Sequence, residues 1–405
     1  MAELRTLLID DLKVGMFVKD IILKNSNHKV KNQGTVNSEH TIALLKKQGV
    51  DKVVVELQPE QLAILEQNSV VDLINPPENT EADISPAQQI IIEQETSNKA
   101  LSQANDLYQQ AHKEIHALFL QVRKGQMIST DGIDKLALAI TNSVIKNEYA
   151  MVLLTCIRHH STYQWEHAVN CAIHMCGFAL YLGLTPDVVH QIAIGALMHD
   201  IGIAKIPDGI INKPEKLTSH EIPLIKKHAK YGVEICKKSG LTNPMVLDMT
   251  LNHHERLDGS GYPRGISNEK LTKLARMIAI VDVYDAITGE KNYRASQQPL
   301  EAFRYLITHK NKFDPLLVQQ FIKYLGIHPV GSVVQLSNDR LAMVMAGNRA
   351  APLEPIVKIF FNIDTMQYSK IKEVDLSKEP LAITSAIDTK DFEINSQSII
   401  KEFIS

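Results

Sequence analysis

Residues 253–263 read His-His-Glu-Arg-Leu-Asp-Gly-Ser-Gly-Tyr-Pro. Two adjacent imidazoles run directly into Asp258-Gly259-Ser260-Gly261, a turn signal. Two glycines and Pro263 give the loop an unusual, fixed backbone path, and such a loop beside two histidines suits a ligand-binding rim. The histidine pair follows a helical run over residues 244–251. Further upstream, His199-Asp200 ends a second apolar helical run, residues 192–198. Burying an imidazole and a carboxylate side by side costs several kcal/mol unless they are paired or metal-bound. Gly202 just beyond the pair permits close approach of backbone or ligand.

Single histidines at 167 and 228 lie on either side of this second pair. Ten of the 16 histidines fall between positions 159 and 254. Those at 159, 160, 174, 190 and 220 read as surface or hydrogen-bonded core residues. Asp282 sits inside the apolar run Ile-Ala-Ile-Val-Asp-Val-Tyr-Asp at 278–285, where a carboxylate must be satisfied and a metal suits it. Imidazoles and carboxylates are the usual ligands of catalytic Zn, Fe and Mn. His167, His199, Asp200, His228, His253 and His254, with Asp282 as a seventh, are enough for two ions. Two adjacent metals are a standard device for cleaving phosphodiesters.

At 405 residues the chain is long enough for two or three domains, and a hydrophobic fraction of 44% can bury a sizeable core. A net charge of −3 argues against a protein that wraps DNA, while a local basic cluster still suffices for a small anionic ligand. Cys156, Cys171, Cys176 and Cys236 form no CxxC pair and read as reduced packing thiols of a cytoplasmic protein. The N-terminal stretch is charged and lacks an apolar leader, and no apolar run approaches the ~18 residues of a membrane span.

The expected fold is mainly α, a helical bundle with a small α/β domain before it and a short β-rich appendage after it. Residues 1–66 form the small domain, with strand character over 12–18 and 52–57 and a helix over 40–48 ended by Gly49. Residues 67–84 are a polar linker centred on the Pro-Pro at 76–77. Residues 85–144 are a helical connector, opened by Ser85-Pro86 and continued by an amphipathic helix over 100–121. Residues 145–330 hold the histidines, and 331–405 carry β-rich runs at 332–336, 341–346 and 356–361.

The chain resembles the HD-GYP family, a subgroup of the HD-domain metal-dependent phosphohydrolases. The resemblance is carried by His167, by His199-Asp200-Ile201-Gly202, and by His228 in Lys-His-Ala-Lys-Tyr-Gly. The HHERLDGSGYP stretch and Asp282 in Val-Asp-Val-Tyr-Asp-Ala complete it. Residues 1–66 are similar to the small domain that often precedes HD-GYP, through Leu-Lys-Val-Gly-Met-Phe-Val at 12–18. The resemblance implies a helical HD-type bundle with metals at its centre. It implies hydrolysis of cyclic di-GMP, a bacterial second messenger, to linear dinucleotide or GMP, with 3′,3′-cyclic GMP-AMP as the alternative substrate. By motif, His167, His199, Asp200 and Asp282 hold one divalent Fe or Mn, and Asp200 bridges to a second held by His228, His253 and His254.

Lys291 and Arg294 match a phosphate-binding pair of the family, and the resemblance implies that Gly261, Tyr262 and Arg264 of the GYP loop face the substrate. The same loop is implied as a docking surface for a diguanylate cyclase partner. For residues 1–66 the resemblance leaves regulation, homodimer formation and partner binding open.

Two positions depart from the family pattern. The family lysine after His-Asp-Ile-Gly is Ile203 here, with Lys205 as the nearest candidate for its catalytic place. A glutamate that supports a third metal in some members is replaced by Tyr163, so a binuclear site is expected. A low-turnover receptor acting through protein partners is the competing reading, and the loss of lysine at position 203 is its support.

Overall fold

β4 (Val50–Leu57) carries Val-Val-Val-Glu-Leu, and its period of two turns Val53, Val55 and Leu57 to one buried face. The computed structural model describes residues 3–9, 12–23, 29–47, 49–57, 98–157, 163–211, 213, 215–289 and 297–404. The chain divides into two compact units, residues 1–79 and 80–405. In the first, β1 (Glu3–Leu8), β2 (Phe17–Leu23), β3 (Lys29–Thr35) and β4 form an antiparallel sheet in the order β1-β4-β2-β3. Ile42 of α1 (Glu39–Lys47) packs with Val18, Ile21 and the β4 valines, and Gly49 at φ +78° ends the helix as expected. The strand expected over 12–18 begins only at Phe17. Gly15, at φ +94° with its N–H on the Val36 carbonyl, makes a turn there instead.

The second unit begins among the described residues with α2 (Asn98–Arg123). Leu101, Ala104, Tyr108, Ala111, Ile115, Phe119 and Val122 recur at helical spacing and are buried. The expected linker and the Ser85-Pro86 start lie outside the described residues. α3 (Thr130–Lys146) opens on Ser129, whose Oγ accepts the Gly132 N–H, and α4 (Glu148–Leu154) follows it. α5 (Tyr163–Tyr181) and α6 (Pro186–Met198) form the centre of the bundle, and the run 192–198 of α6 is buried throughout. α2 and α3 pack on α5, and α3 also lies against α6.

Two short helices, α7 (Asp208–Ile211) and α8 (Ile222–Lys226), lead to α9 (His228–Lys238) and α10 (Pro244–Asn252). α11 (Lys273–Thr288) crosses α5 and α10 and is followed by α12 (Pro299–Thr308) and α13 (Pro315–Leu325).

β5 (Val333–Leu336), β6 (Arg340–Ala346), β7 (Ile356–Asn362), β8 (Gln367–Asp375) and β9 (Ile383–Ala386) form a second antiparallel sheet, ordered β8-β7-β6-β5-β9. Its core holds Val334, Leu336, Ala342, Val344, Val357 and Val374. The first three strands match the expected β runs. β8 lacks an apolar face, with only Val374 buried along it, and so gave no alternating signal. Arg349 ties this sheet to the bundle by an ion pair to Glu148 at 2.9 Å, and the Tyr149 hydroxyl donates to the Gly347 carbonyl at 3.0 Å. The architecture is therefore mainly α with two small sheets. No helix among the described residues is long and apolar enough to cross a membrane.

Candidate metal centre

Five elements deliver histidines and aspartates to one buried point. His199 caps the C-terminus of α6, and its Nδ1–H donates to the Ala196 carbonyl at 2.7 Å. The chain then tightens into a 3-10 turn over Ile201–Lys205, with Asp200 at its start. Gly202 lies so close to α9 that a Cβ there would collide with the His228 carbonyl oxygen and the Gly232 amide. The close approach expected at this glycine is thus to backbone, and it brings His228 to Asp200. His228 opens α9 with Nδ1–H on the Ile225 carbonyl at 2.8 Å. His253 caps α10, with Nδ1–H directed at the Thr250 carbonyl at 3.0 Å.

With these Nδ1 hydrogens committed, the Nε2 lone pairs of His199, His228 and His253 point inward. His228 Nε2 and His253 Nε2 stand 3.2 and 3.5 Å from Asp200 Oδ1, while His199 Nε2 and His167 Nε2 stand 3.7 and 4.0 Å from Asp200 Oδ2. The two oxygens of Asp200 therefore face two halves of one cluster. Asp282, from the middle of α11, places Oδ1 3.1 Å from His167 Nε2 and Oδ2 3.3 Å from His254 Nδ1.

This donor set fits a metal. His228 Nε2 and His253 Nε2 lie 3.0 Å apart, and with both Nδ1 atoms protonated two lone pairs confront each other across that gap. His199 Nε2 and Asp200 Oδ1 are buried without a hydrogen-bond partner. A cation between these atoms removes both penalties. One ligand atom from each of Asp200, His228, His253 and His254 lies within 4.8 Å of the others.

Burial lowers the pKa of His199, His228, His253 and His254, which favours the neutral, ligating imidazole. Burial also opposes ionisation of Asp200 and Asp282, but the surrounding imidazoles outweigh it and hold both carboxyls well below the usual range. Cys171 comes within 3.7 Å of His167 Nδ1, and burial pushes its thiol up to about 12. All four cysteines are free.

Two residues outside the expected set support the site. Asp285, fully buried, accepts the His167 Nδ1–H at 2.7 Å. It lies three residues after Asp282, on the same face of α11, and that spacing is its signal in the sequence. Glu255, also buried, accepts the Arg264 N–H at 2.7 Å and the Ile266 N–H at 3.2 Å. It holds the GYP loop against the two histidines. A Cβ on Gly261 would strike the backbone of residues 254–256, so only glycine lets the loop fold back this tightly. Tyr262 then lies with its ring 4.6 Å from that of His254.

The remaining expected site residues are placed less directly. The Arg264 guanidinium donates to Asn252 Oδ1 at 3.0 Å. Lys205 is turned towards α9, 3.6 Å from Glu234 and over the Tyr231 ring. Lys291 and Arg294 lie outside the described residues, as does the Tyr163 side chain.

A buried cluster of histidines and aspartates inside a helical bundle defines the class, the HD-domain metal-dependent phosphohydrolases. Residues 155–317 match the HD domain family, residues 4–133 a domain of unknown function (DUF3391), and residues 333–395 the KOW domain associated with the HD domain. The chain is 31% identical over 377 residues to a cyclic di-GMP phosphodiesterase of Pseudomonas aeruginosa, covering 93% of this chain and 89% of that one. It is also 31% identical over 160 residues to a 3′3′-cGAMP-specific phosphodiesterase of Vibrio cholerae, covering 39% of this chain and 31% of that one. Among solved structures, an HD-GYP-type protein of Bdellovibrio bacteriovorus aligns at 16% identity and a TM-score of 0.45, covering 79% of this chain and 98% of that one. The chain belongs to the HD-GYP family of cyclic-dinucleotide phosphodiesterases.

Proposed function

We propose that this chain hydrolyses cyclic di-GMP to linear dinucleotide or GMP at a binuclear centre of Fe or Mn. The observation that carries this reading is the convergence on Asp200, whose two carboxylate oxygens face opposite halves of a five-histidine cluster. His167, His199, Asp200 and Asp282 hold one ion in this reading, and Asp200, His228, His253 and His254 hold the other. Bound there, the ions would supply an activated water and positive charge against the negative charge that develops on the phosphoryl oxygens. The chain's part is to keep the imidazoles neutral and aimed, and to keep two carboxylates ionised in a buried site. Gly261 and Tyr262 bring the GYP loop over His254 as the wall of the substrate site, with Arg264 on its rim. Lys291 and Arg294 are proposed as the phosphate pair on motif alone.

We place the catalytic part at residues 145–330, with residues 1–66 as a separate domain for regulation, dimer formation or partner binding, and the chain in the cytoplasm. The outer edge of the GYP loop, exposed at Arg264 and Gly265, is the proposed docking edge for a diguanylate cyclase, and a homodimer is proposed with it.

A second reading is favoured by the orientation of Lys205. With Ile203 in the lysine place and Lys205 drawn to Glu234, a slow-turnover receptor for the same ligand becomes the alternative. The likeness to the Vibrio cholerae enzyme favours 3′,3′-cyclic GMP-AMP as the alternative substrate.

Anaerobic reconstitution with Mn(II) or Fe(II), metal counting, and chromatography of both dinucleotides side by side tests all of this. Metal-dependent product from cyclic di-GMP supports the main reading. Binding without product supports the receptor. Asp200→Ala is expected to lower bound metal and abolish hydrolysis, and normal turnover in that variant removes the two-metal assignment.

A further inference from the structure

The cations around the metal centre are not equivalent. Lys205 is drawn to Glu234. Arg256 donates to the His253 and Glu255 carbonyls, and Arg264 to Asn252. Lys213 is held by Glu221 at 2.9 Å. Lys226 differs from all of these. It ends α8, two residues before the ligand His228, and its ammonium stands 5.1 Å above the Tyr262 ring. Among the described residues no carboxylate lies within ion-pair distance of it. A cation over an aromatic face is held in place while its hydrogens stay available to a ligand.

Tyr262 links this lysine to the metal ligands. Its ring lies 4.6 Å from that of His254 and 6.1 Å from that of His228. The Lys226 ammonium and two of the ligand histidines thus share one aromatic neighbour, Tyr262. A cyclic dinucleotide carries two phosphodiesters in one ring, and only one can occupy the reacting position at a time. The geometry points to Lys226 as the residue that binds the second, unreacting phosphate of a cyclic dinucleotide, with Tyr262 as the platform that positions it. This rests on the proposed phosphodiesterase function and deepens it, giving a basis for choosing a two-phosphate ring over a single phosphodiester.

The test uses the full chain reconstituted with Mn(II) and two phosphodiesters. Bis(p-nitrophenyl) phosphate, with one phosphate, is the chromogenic reporter, and cyclic di-GMP is its competitor. The inhibition constant of cyclic di-GMP then measures how well it competes, equal to its KM where it is turned over. Lys226→Gln is expected to weaken cyclic di-GMP about tenfold more than it weakens the reporter, as befits loss of a charge-assisted phosphate contact. The difference should shrink as salt is raised, because Lys226 is exposed.

Lys226→Arg should restore most of the affinity. Tyr262→Ala should reproduce the selective loss, and the double variant should add little to it. An unchanged inhibition constant overturns the proposal, and so does an equal loss on both phosphodiesters, which would place the lysine at the reacting phosphate. A metal-loaded wild-type chain that cleaves neither compound removes the phosphodiesterase reading itself, a distinct failure.

Discussion

Asp285→Ala tests whether the centre is held by its surroundings as well as by its ligands. Asp285 is fully buried and its Oδ2 receives the His167 Nδ1–H at 2.7 Å. The substitution leaves that N–H without its acceptor and frees the ring to turn towards Cys171, 3.7 Å away. A hydrogen bond to a charged partner contributes ~1.5–3 kcal/mol. At ~1.4 kcal/mol per factor of ten, metal affinity at the His167 half should fall about 10–100-fold. In the other half His228 and His253 are oriented by backbone carbonyls, and that half should hold. The assay is dialysis of the Mn-loaded protein against graded chelator, with metal counted per chain. Two-step loss is expected, with one equivalent released early and the second at the wild-type chelator concentration. Asp285→Asn keeps an acceptor and should fall between. Release of both equivalents at the wild-type concentration, or of both together early, would refute the argument that Asp285 acts through His167 on one ion.

Three further outcomes follow from the same geometry. Gly202→Ala forces the 3-10 turn away from His228 and Gly232, so it should cost about 1–3 kcal/mol of stability and lower metal occupancy at the His228 half. Unchanged denaturant midpoint and metal content together would sink that account. Lys205→Ala should change kcat by less than about twofold, since its ammonium is engaged with Glu234 at the surface. A hundredfold fall would return Lys205 to the catalytic set.

The pH dependence has a definite sign. The four cluster histidines His199, His228, His253 and His254 have lowered pKa values when folded, so below the ordinary histidine value of ~6.5 the unfolded chain binds more protons. Stability of the metal-free protein is present above that value and is lost as pH falls from ~6.5 towards the lowered folded values. A melting temperature that stays flat between about pH 7.5 and about pH 5.5 would contradict this.

The sequence made the cluster residues legible because each breaks a local rule. His199-Asp200 ends an apolar helix and Asp282 interrupts another, so each signals a partner that only the fold supplies. Other features were hidden for physical reasons. Glu255 reads as one more charge in a turn, and its role depends on two backbone N–H groups about ten residues downstream. Lys205 lies two residues past the family lysine position, and a 3-10 turn and Glu234 decide where it points. β8 has no apolar alternation to read, because only Val374 is buried along it. The start of β2 was misplaced because Leu12 and Met16 are buried like strand residues, while Gly15 turns the chain between them.

One device recurs in the centre and explains why the fold can carry it. His199, His228 and His253 each stand just past a helix end, and each donates Nδ1–H to the carbonyl three residues earlier: Ala196, Ile225 and Thr250. Helix C-termini leave carbonyls without intrahelical partners. A histidine in that place satisfies one of them, and in doing so fixes its own tautomer with the Nε2 lone pair directed away from the helix. Capping the helix and preparing a metal ligand are therefore the same hydrogen bond. His167 lies within a helix, where the carbonyls are already used, and so it needs a carboxylate for the same task. Asp285 supplies it from α11, the helix that also carries Asp282. This asymmetry is why His167 should be sensitive to a single distant side chain, while His228 and His253 are oriented by local backbone.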